Sequence, residues 1–485
     1  MTELNKKVVT RFAPSPTGFM HVGGVRTALF AYLWAQKNGG KFILRIEDTD
    51  KEREVEGAIA HIMESLRWLG LEWDYGPDKE NPFGSAIQSE RLPTYIEAAK
   101  KLIAKGFAYP DPYTQEEVEG FRKKAATEKR PFLFRDHRPE TFIAWDEKRP
   151  LRFCVPNVRR MHWNDIVRGE LEAGEEALDD FVLIKSDGYP TYNLAHIIDD
   201  MHMEVTHIMR ADEFISSMPK FLSLYEALEI VPPAFVTLPP IMREDRTKKL
   251  GKRDGAKDIL EYRDDGYLPD AMTNFLALTG WNPGTAEELF TPEELIAKFD
   301  VTGIQKAGAL LNEDKLAWVN KKHIKRMDEK TRLDMIESFI TSEMKESPNY
   351  SRAMLEKISP IIIERITHFG EVRTMCEEGE LSYFFTAPKY PMEKLLWKGE
   401  GDVTSTKARL LHIQELLKAL PEGPEFTPES VKNALWSYAE AEGRGTVLWP
   451  LRYALSGRDK SPDPFLLSGI LGKAEVLARL DSAVR

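Results

Sequence analysis

The strongest constraint on the fold is the alternation of β-rich runs and helix-length stretches near the start of the chain. Val8 to Ala13 is a short β-rich run that Pro14, Pro16 and Gly18 break, and Val25 to Gln36 then has helical length before closing at Asn38, Gly39 and Gly40. Phe42 to Ile46 reads as the next strand and runs into the acidic cluster Glu47, Asp48, Thr49 and Asp50; Ile59 to Leu69 returns a helix with apolar spacing of three and four. A chain that alternates in this way folds as a doubly wound parallel sheet with helices on both faces.

From about Tyr109 the pattern changes to a proline-rich stretch, a basic helix around Arg122 to Lys129, and short strands near Arg152 to Val155 and Phe181 to Lys185. This reads as an insertion. Periodicity resumes with Tyr192 to Asp200 as a helix, Val205 to Met209 as a strand and Phe221 to Leu228 as a helix. After about Lys325 the reading is helical throughout: Leu410, Ile413, Leu417 and Leu420 share a stripe, and Thr427-Pro428-Glu429 offers an N-cap followed by a first-turn proline. A chain of 485 residues is too long for one core.

Composition excludes several classes. No apolar run is long enough to span a bilayer, and Met1 to Val9 lacks the apolar stretch of a secretory signal, so no membrane partner and a cytoplasmic location are expected. Cys154 and Cys376 are the two cysteines, read as reduced core residues, and they rule out a four-cysteine zinc site. A net charge of −11 argues against a uniformly basic nucleic-acid binder but leaves room for local basic faces.

Two strings carry chemistry. The first is Arg11 to Gly18 (Arg-Phe-Ala-Pro-Ser-Pro-Thr-Gly), followed by His21-Val22-Gly23-Gly24 at a helix start. It sits at the carboxyl end of the first strand, where open α/β sheets bind ligands, and a helix N-terminus with glycines gathers N–H groups for a phosphate. The glycines alone would equally fit an ordinary turn. The second is Lys248-Lys249-Leu250-Gly251-Lys252-Arg253, inside a segment from Arg243 to Lys257 with seven basic and three acidic residues. Alone it reads as a solvated charge run; beside a polyphosphate its ammonium groups would steady the charge of a departing pyrophosphate.

Together these strings resemble the HIGH and KMSKS signatures of class I aminoacyl-tRNA synthetases, in the form of the bacterial-type glutamyl-tRNA synthetases. The blocks Leu44 to Asp50, Asp187 to Tyr192, Asp199-Asp200, Tyr262 to Pro269, Asp314 to Asn320 and Pro450-Leu451-Arg452 extend the resemblance over nearly the full length. It implies a Rossmann-type catalytic domain in two halves (1–108 and 190–242), an inserted α+β domain for the acceptor end (109–189), a stem-contact region with the lysine loop (243–325) and an all-α anticodon-binding domain (326–485).

It further implies ATP-dependent activation of L-glutamate and transfer to the 3′ end of tRNA(Glu), with charging of tRNA(Gln) left open. Arg11 and Arg210 would clamp the substrate carboxylates, Arg11 taking the side-chain one; Glu47 would pair with the α-ammonium, and Ser15, Tyr192 and His196 complete the glutamate set. Thr17, Gly18, His21, Gly23, Gly24, Lys249, Leu250 and Lys252 would meet magnesium-ATP, with His21, Lys249 and Lys252 taking part in the chemistry. Basic residues Arg122, Lys123, Lys124, Lys129 and Arg130 would position the acceptor end. A monomer is expected.

The chain departs from the family pattern at several points. Gly251 replaces the serine of the second signature, Ala211-Asp212-Glu213-Phe214 replaces Gly-Glu-Asp-His so that an aromatic stands beside the nucleotide, and His196 stands for asparagine. No Cys-x-Cys occurs near Pro110-Asp111-Pro112, so no zinc knuckle is expected. The rivals are a glutaminyl-tRNA synthetase, against which Pro14-Ser15-Pro16-Thr17-Gly18 and the helical end argue, a truncated tRNA-modifying paralogue, which lacks such a helical domain, and an inactive RNA-binding relative, favoured only by Gly251 and Ala211.

Overall fold

Strand β1 (Val9–Phe12) is short because the prolines after it end the extended run. The chain then enters α1 (Val22–Lys37), which His21 caps through a ring nitrogen that accepts the Gly23 N–H. The helix stops at Asn38, and Gly40 must be glycine: a Cβ there would lie 2.0 Å from the Val8 carbonyl oxygen. That oxygen accepts the Lys41 N–H at 2.8 Å and starts β2 (Lys41–Leu44) alongside β1.

The computed structural model describes residues 7–243, 248, 257–399 and 402–485. After β2 come α2 (Ala58–Trp68), α3 (Leu92–Ala104), β3 (Ala108–Pro110), α4 (Gln115–Thr127), β4 (Leu151–Phe153), β5 (Met161–Asp165), β6 (Gly169–Ala173) and β7 (Val182–Ile184). Then follow α5 (Tyr192–His202), β8 (His207–Ala211), α6 (Met218–Leu228), β9 (Ala234–Leu238) and α7 (Ile259–Asp264). The main sheet has the order β2-β1-β8-β9-β5-β6, parallel throughout except for the β5–β6 hairpin. Alternate side chains feed two cores: Phe42 and Leu44 pack with Val25 and Leu29 of α1, while Ile43 packs with Tyr95 of α3 and Leu194 of α5. The expected doubly wound sheet is present. Its order reverses between β1 and β8, which places a crevice at their carboxyl ends.

Residues 109–189, expected as one insertion, are divided between two sheets. Strands β3, β4 and β7 form a separate antiparallel sheet, whereas β5 and β6 extend the main one. The reason is Asp165. Its buried carboxylate accepts from the Thr237 N–H (3.0 Å) and hydroxyl (2.6 Å) and from the N–H groups of Val167 and Arg168 (both 2.9 Å), which fastens β5 to β9. In the separate sheet Asp180 is the hub, accepting from the Tyr109 hydroxyl at 2.8 Å, Arg138 Nε at 2.6 Å and the Val155 N–H at 3.0 Å. The basic helix expected near 122–129 begins earlier, because Thr114 and Glu117 form a reciprocal cap, and it leaves Arg122, Lys123 and Lys124 exposed in its second half and Lys129 and Arg130 exposed beyond its end.

The chain forms two compact units, Met1–Asn320 and Lys321–Arg485, a few residues before the boundary expected at 325/326. In helix Glu313–Arg326, Asn320 accepts the Leu268 N–H at 2.9 Å while Lys325 pairs with Glu364 at 2.8 Å, so the division falls inside the helix. The second unit is helical. Leu410, Ile413 and Leu417 line the buried face of Val403–Lys418, Leu420 lies past its end, and Thr427 caps Pro428–Glu442 with Pro428 in the first turn. Among the described residues no helix is long and apolar enough to cross a membrane.

Candidate active site

A cavity of about 620 Å³ opens at the carboxyl ends of β1, β2, β8 and β9, where the sheet order reverses. Arg11, Ser15, His21, Gly23, Gly24, Glu47, Tyr192 and Arg210 all line it, although they come from four separate stretches of sequence. Thr17, Gly18 and His196 do not line it. Lys249, Leu250, Gly251 and Lys252 lie outside the described residues. Their flanks border the same place: Ile241 lines the cavity, and Asp258 makes a backbone bridge with His21.

One side of the cavity is built from buried charges. Arg11 points Nε at Asp200 Oδ1 (3.1 Å) and Nη2 at Oδ2 (3.4 Å). Arg45, fully buried beneath, spans the two acids, with Nη1 2.6 Å from Asp200 and Nη2 2.9 Å from Glu47. Asp199, 3.8 Å from Arg45 Nε, is anchored by Arg91 Nε, Gln88 Nε2 and the Tyr95 hydroxyl, at 2.8 Å from each. Burial alone would raise the Asp200 carboxyl, but Arg11 and Arg45 outweigh it and hold it down at about 2. For Glu47 burial wins over Arg45 and Arg11, and its pKa is raised. Sequence reasoning had passed over Arg45 and assigned no role to Asp200.

Arg210 has a different environment. Its guanidinium carbon lies 5.0 Å from the Phe221 ring centre, 5.4 Å from Phe235 and 5.5 Å from Phe214. The residue is buried, Nη2 contacts the Met218 sulfur, and Nη1 has no hydrogen-bond partner. No carboxylate among the described residues forms an ion pair with it. A buried guanidinium left so costs several kcal/mol, a cost that an incoming carboxylate removes. Phe214, expected beside the nucleotide, lines the cavity and packs on Arg210 and on Tyr192, with ring centres 5.2 Å apart in the latter pair. Only the aromatic residue types of this cage were visible in the sequence, since its members come from β8, the 3-10 turn after it, α6 and β9.

Tyr192 begins α5 and stacks on His196 at 4.3 Å. Burial, then Glu47, raises the Tyr192 hydroxyl and keeps it a donor. His196 is fully buried behind it; burial lowers its pKa to about 3, so the ring is neutral, Nδ1–H donates to the Tyr192 carbonyl at 2.6 Å, and Nε2 has no partner. His196 therefore supports Tyr192 from outside the cavity wall.

The opposite side presents main chain. The turn before α1 is pinned by the Glu47 N–H on the Pro14 carbonyl (3.0 Å) and the Val55 N–H on the Pro16 carbonyl (2.9 Å). Since His21 Nδ1 accepts the Gly23 N–H at 3.1 Å, a neutral ring carries its proton on Nε2. A Cβ on Gly23 would lie 2.9 Å from His21 Cε1, so glycine is what allows the ring to fold over the helix start. Arg26, also missed, is buried and donates to the carbonyls of Thr279 (3.0 Å) and Pro239; burial lowers its pKa to about 10. It ties α1 to the end of β9.

An anion-binding helix start facing buried cations suits a substrate that joins a carboxylate to a phosphate. Residues 7–318 match the model of the catalytic domain of class I tRNA synthetases (E and Q), and residues 331–484 match an anticodon binding domain. The chain is 37% identical to a glutamate–tRNA ligase of Dehalococcoides mccartyi over 99% of its length and 98% of the relative's. It is 38% identical to that of Moorella thermoacetica, again over 99% and 98%. A crystal structure of a glutamate tRNA ligase from Elizabethkingia meningosepticum in complex with its amino acid superimposes with a TM-score of 0.88, at 34% identity and 99% coverage of both chains. A glutamate–tRNA synthetase structure from Elizabethkingia anophelis gives 0.84, at 34% identity, covering 99% of this chain and 100% of that one.

Proposed function

The chain belongs to the class I tRNA synthetases of the glutamate and glutamine type and is a glutamate–tRNA ligase; from that premise we propose how its cavity divides the work. The charged side takes glutamate and the glycine side takes ATP. The observation that carries this is the charge balance: Arg11, Arg45, Arg91 and Arg210 stand against Glu47, Asp199 and Asp200, an excess of one positive charge that matches the single net negative charge of glutamate.

In this reading Arg210 receives the α-carboxylate and Arg11 the side-chain carboxylate, Arg11 being held in place by Asp200 rather than neutralised by it. Glu47 attracts the α-ammonium, whose charge in turn favours the ionised carboxylate against the burial that raises its pKa. Ser15 and the Tyr192 hydroxyl close the set, with His196 behind. That the related Elizabethkingia ligase was crystallised with its amino acid supports placing glutamate here.

ATP enters as its magnesium complex. Its phosphates lie at the start of α1 against His21 Nε2–H and the main chain of Gly23 and Gly24, and Thr17 and Gly18 shape the turn. The α-carboxylate attacks the α-phosphorus; the bond to the bridging oxygen breaks and pyrophosphate leaves towards Lys249 and Lys252. A terminal ribose hydroxyl of tRNA then attacks the acyl carbon and AMP departs. Both steps rest on positioning and charge stabilisation, with no protein nucleophile. The insertion, with its exposed Arg122, Lys123 and Lys124, holds the acceptor end. The helical unit reads the anticodon, and its cleft of about 1150 Å³, lined by Arg365, Tyr453, Arg458 and Lys460, suits unstacked bases. The ligase acts as a monomer in the cytoplasm, on tRNA(Glu).

Glutamate-dependent exchange of pyrophosphate into ATP, assayed with and without tRNA, tests the reading. Exchange with glutamate that requires tRNA is expected. Exchange with glutamine instead, or with neither amino acid, would overturn it, and charging purified tRNA(Glu) and tRNA(Gln) decides the tRNA range.

A further inference from the structure

Outside the cavity, one side chain joins three segments. His61 of α2 stacks on Phe19, with ring centres 4.6 Å apart and planes at 26°. Its Nδ1 accepts the Met20 N–H at 3.4 Å, and its Nε2 lies 2.8 Å and 3.0 Å from the two carboxylate oxygens of Asp258. With Nδ1 accepting, a neutral ring must carry its proton on Nε2 and donate it to Asp258. Both side chains are mostly buried, at 13% and 19% exposure, so the bond is poorly screened by water.

Asp258 is also the N-cap of α7, where Oδ1 accepts the Leu260 N–H at 2.9 Å and Glu261 reciprocates on the Asp258 N–H at 3.3 Å. The next residue, Ile259, donates its N–H to the Met20 carbonyl at 3.0 Å, and Asp258 bridges His21 through the backbone. Capping α7 needs only Asp258 and Glu261. The additional bond from His61 serves to tie α7 to Phe19 and Met20, the two residues immediately before His21. None of His61, Asp258, Phe19 and Met20 lines the cavity.

We propose that His61 and Asp258 are positioning residues for ATP: they hold the turn that carries His21 at a fixed spacing from the start of α7, and so orient the phosphate-binding helix start. The proposal rests on the assignment of His21, Gly23 and Gly24 to ATP. Displacing reacting groups by about 1 Å costs on the order of 100-fold in rate, so a contact that fixes spacing acts on nucleotide parameters and leaves glutamate binding alone.

The test measures the dissociation constant of a non-hydrolysable ATP analogue by calorimetry, together with the melting temperature and the exchange KM for each substrate. His61→Phe keeps a ring against Phe19 but loses both nitrogens. It is expected to weaken analogue binding by about 10-fold and to lower the melting temperature slightly, because one buried hydrogen bond to a charged group is lost, with glutamate KM unchanged. His61→Gln, whose amide can still donate to Asp258, recovers most of the affinity. Asp258→Asn keeps the α7 cap and falls between the two. Wild-type analogue affinity in His61→Phe would overturn the proposal; so would nucleotide and glutamate parameters declining in step with melting temperature across the three variants. Because the calorimetry needs no turnover, absence of glutamate-dependent exchange in the unmodified ligase would count against the function and not against this pair.

Discussion

The two sides of the cavity are built from opposite materials. The side proposed for glutamate is a lattice of buried side-chain charges, Arg11, Arg45, Glu47, Asp200 and the caged Arg210, several of them fixed by a residue far away in sequence. The side proposed for ATP is mostly backbone: a helix start, two glycines and one histidine folded over its own turn. The contrast suits the proposed ligands. A polyphosphate is recognised by many N–H donors wherever the chain can approach closely, whereas telling glutamate from glutamine needs a full positive charge at a set position.

That contrast can be broken from the glutamate side first. Arg210→Ala is expected to lower kcat/KM for glutamate by about 1,000-fold, about 4 kcal/mol, because a carboxylate would be buried without its partner, while ATP KM and melting temperature hold. Arg11→Ala should lose glutamate use to a similar extent and, in addition, cost about 2 kcal/mol of stability, since Asp200 keeps only Arg45. Denaturant unfolding of the two variants separates the roles: equal stability would mean that the Arg11–Asp200 pair is not structural.

From the ATP side, Lys252→Ala should slow exchange by about 100-fold with folding intact, the scale of one lost transition-state charge contact. Gly23→Ala forces a Cβ towards His21 Cε1 and should raise ATP KM by about 10-fold without changing glutamate KM; a change in both would erase the boundary between the two sides.

The smallest effect expected is a pH shift. Glu47 has a raised pKa in the unliganded protein, so on acidification it takes up its proton earlier than an ordinary carboxyl near 4.5 and loses its hold on the ammonium. The kcat/KM for glutamate should therefore fall on the acid side with an apparent pKa above 4.5, and Glu47→Gln should remove that limb. An acid limb that persists in Glu47→Gln assigns it to another group.

The ATP side was the more legible in sequence, and the reason is local. Proline, glycine and histidine between Pro14 and Gly24 dictate a turn and a capped helix start within eleven residues, and strand–helix alternation places that turn at the carboxyl end of the first strand. On the glutamate side the end residues could be named by resemblance, but their connections could not, because Arg45 reaches Asp200 and Arg210 reaches Phe235 only after the sheet has formed. The sheet that 161–173 joins was hidden for the same cause: a single carboxylate, Asp165, ties the hairpin to the main sheet, and its partner Thr237 is remote in the chain. The pairing of His61 with Asp258 belongs to this class too.

The most direct test is a crystal structure of the ligase soaked with glutamate and a non-hydrolysable ATP analogue. The account predicts one carboxylate of glutamate within hydrogen-bonding distance of Arg210 Nη1, the other at Arg11, and the phosphates at the start of α1. Glutamate bound elsewhere, with Arg210 still alone among Phe214, Phe221 and Phe235, would contradict it.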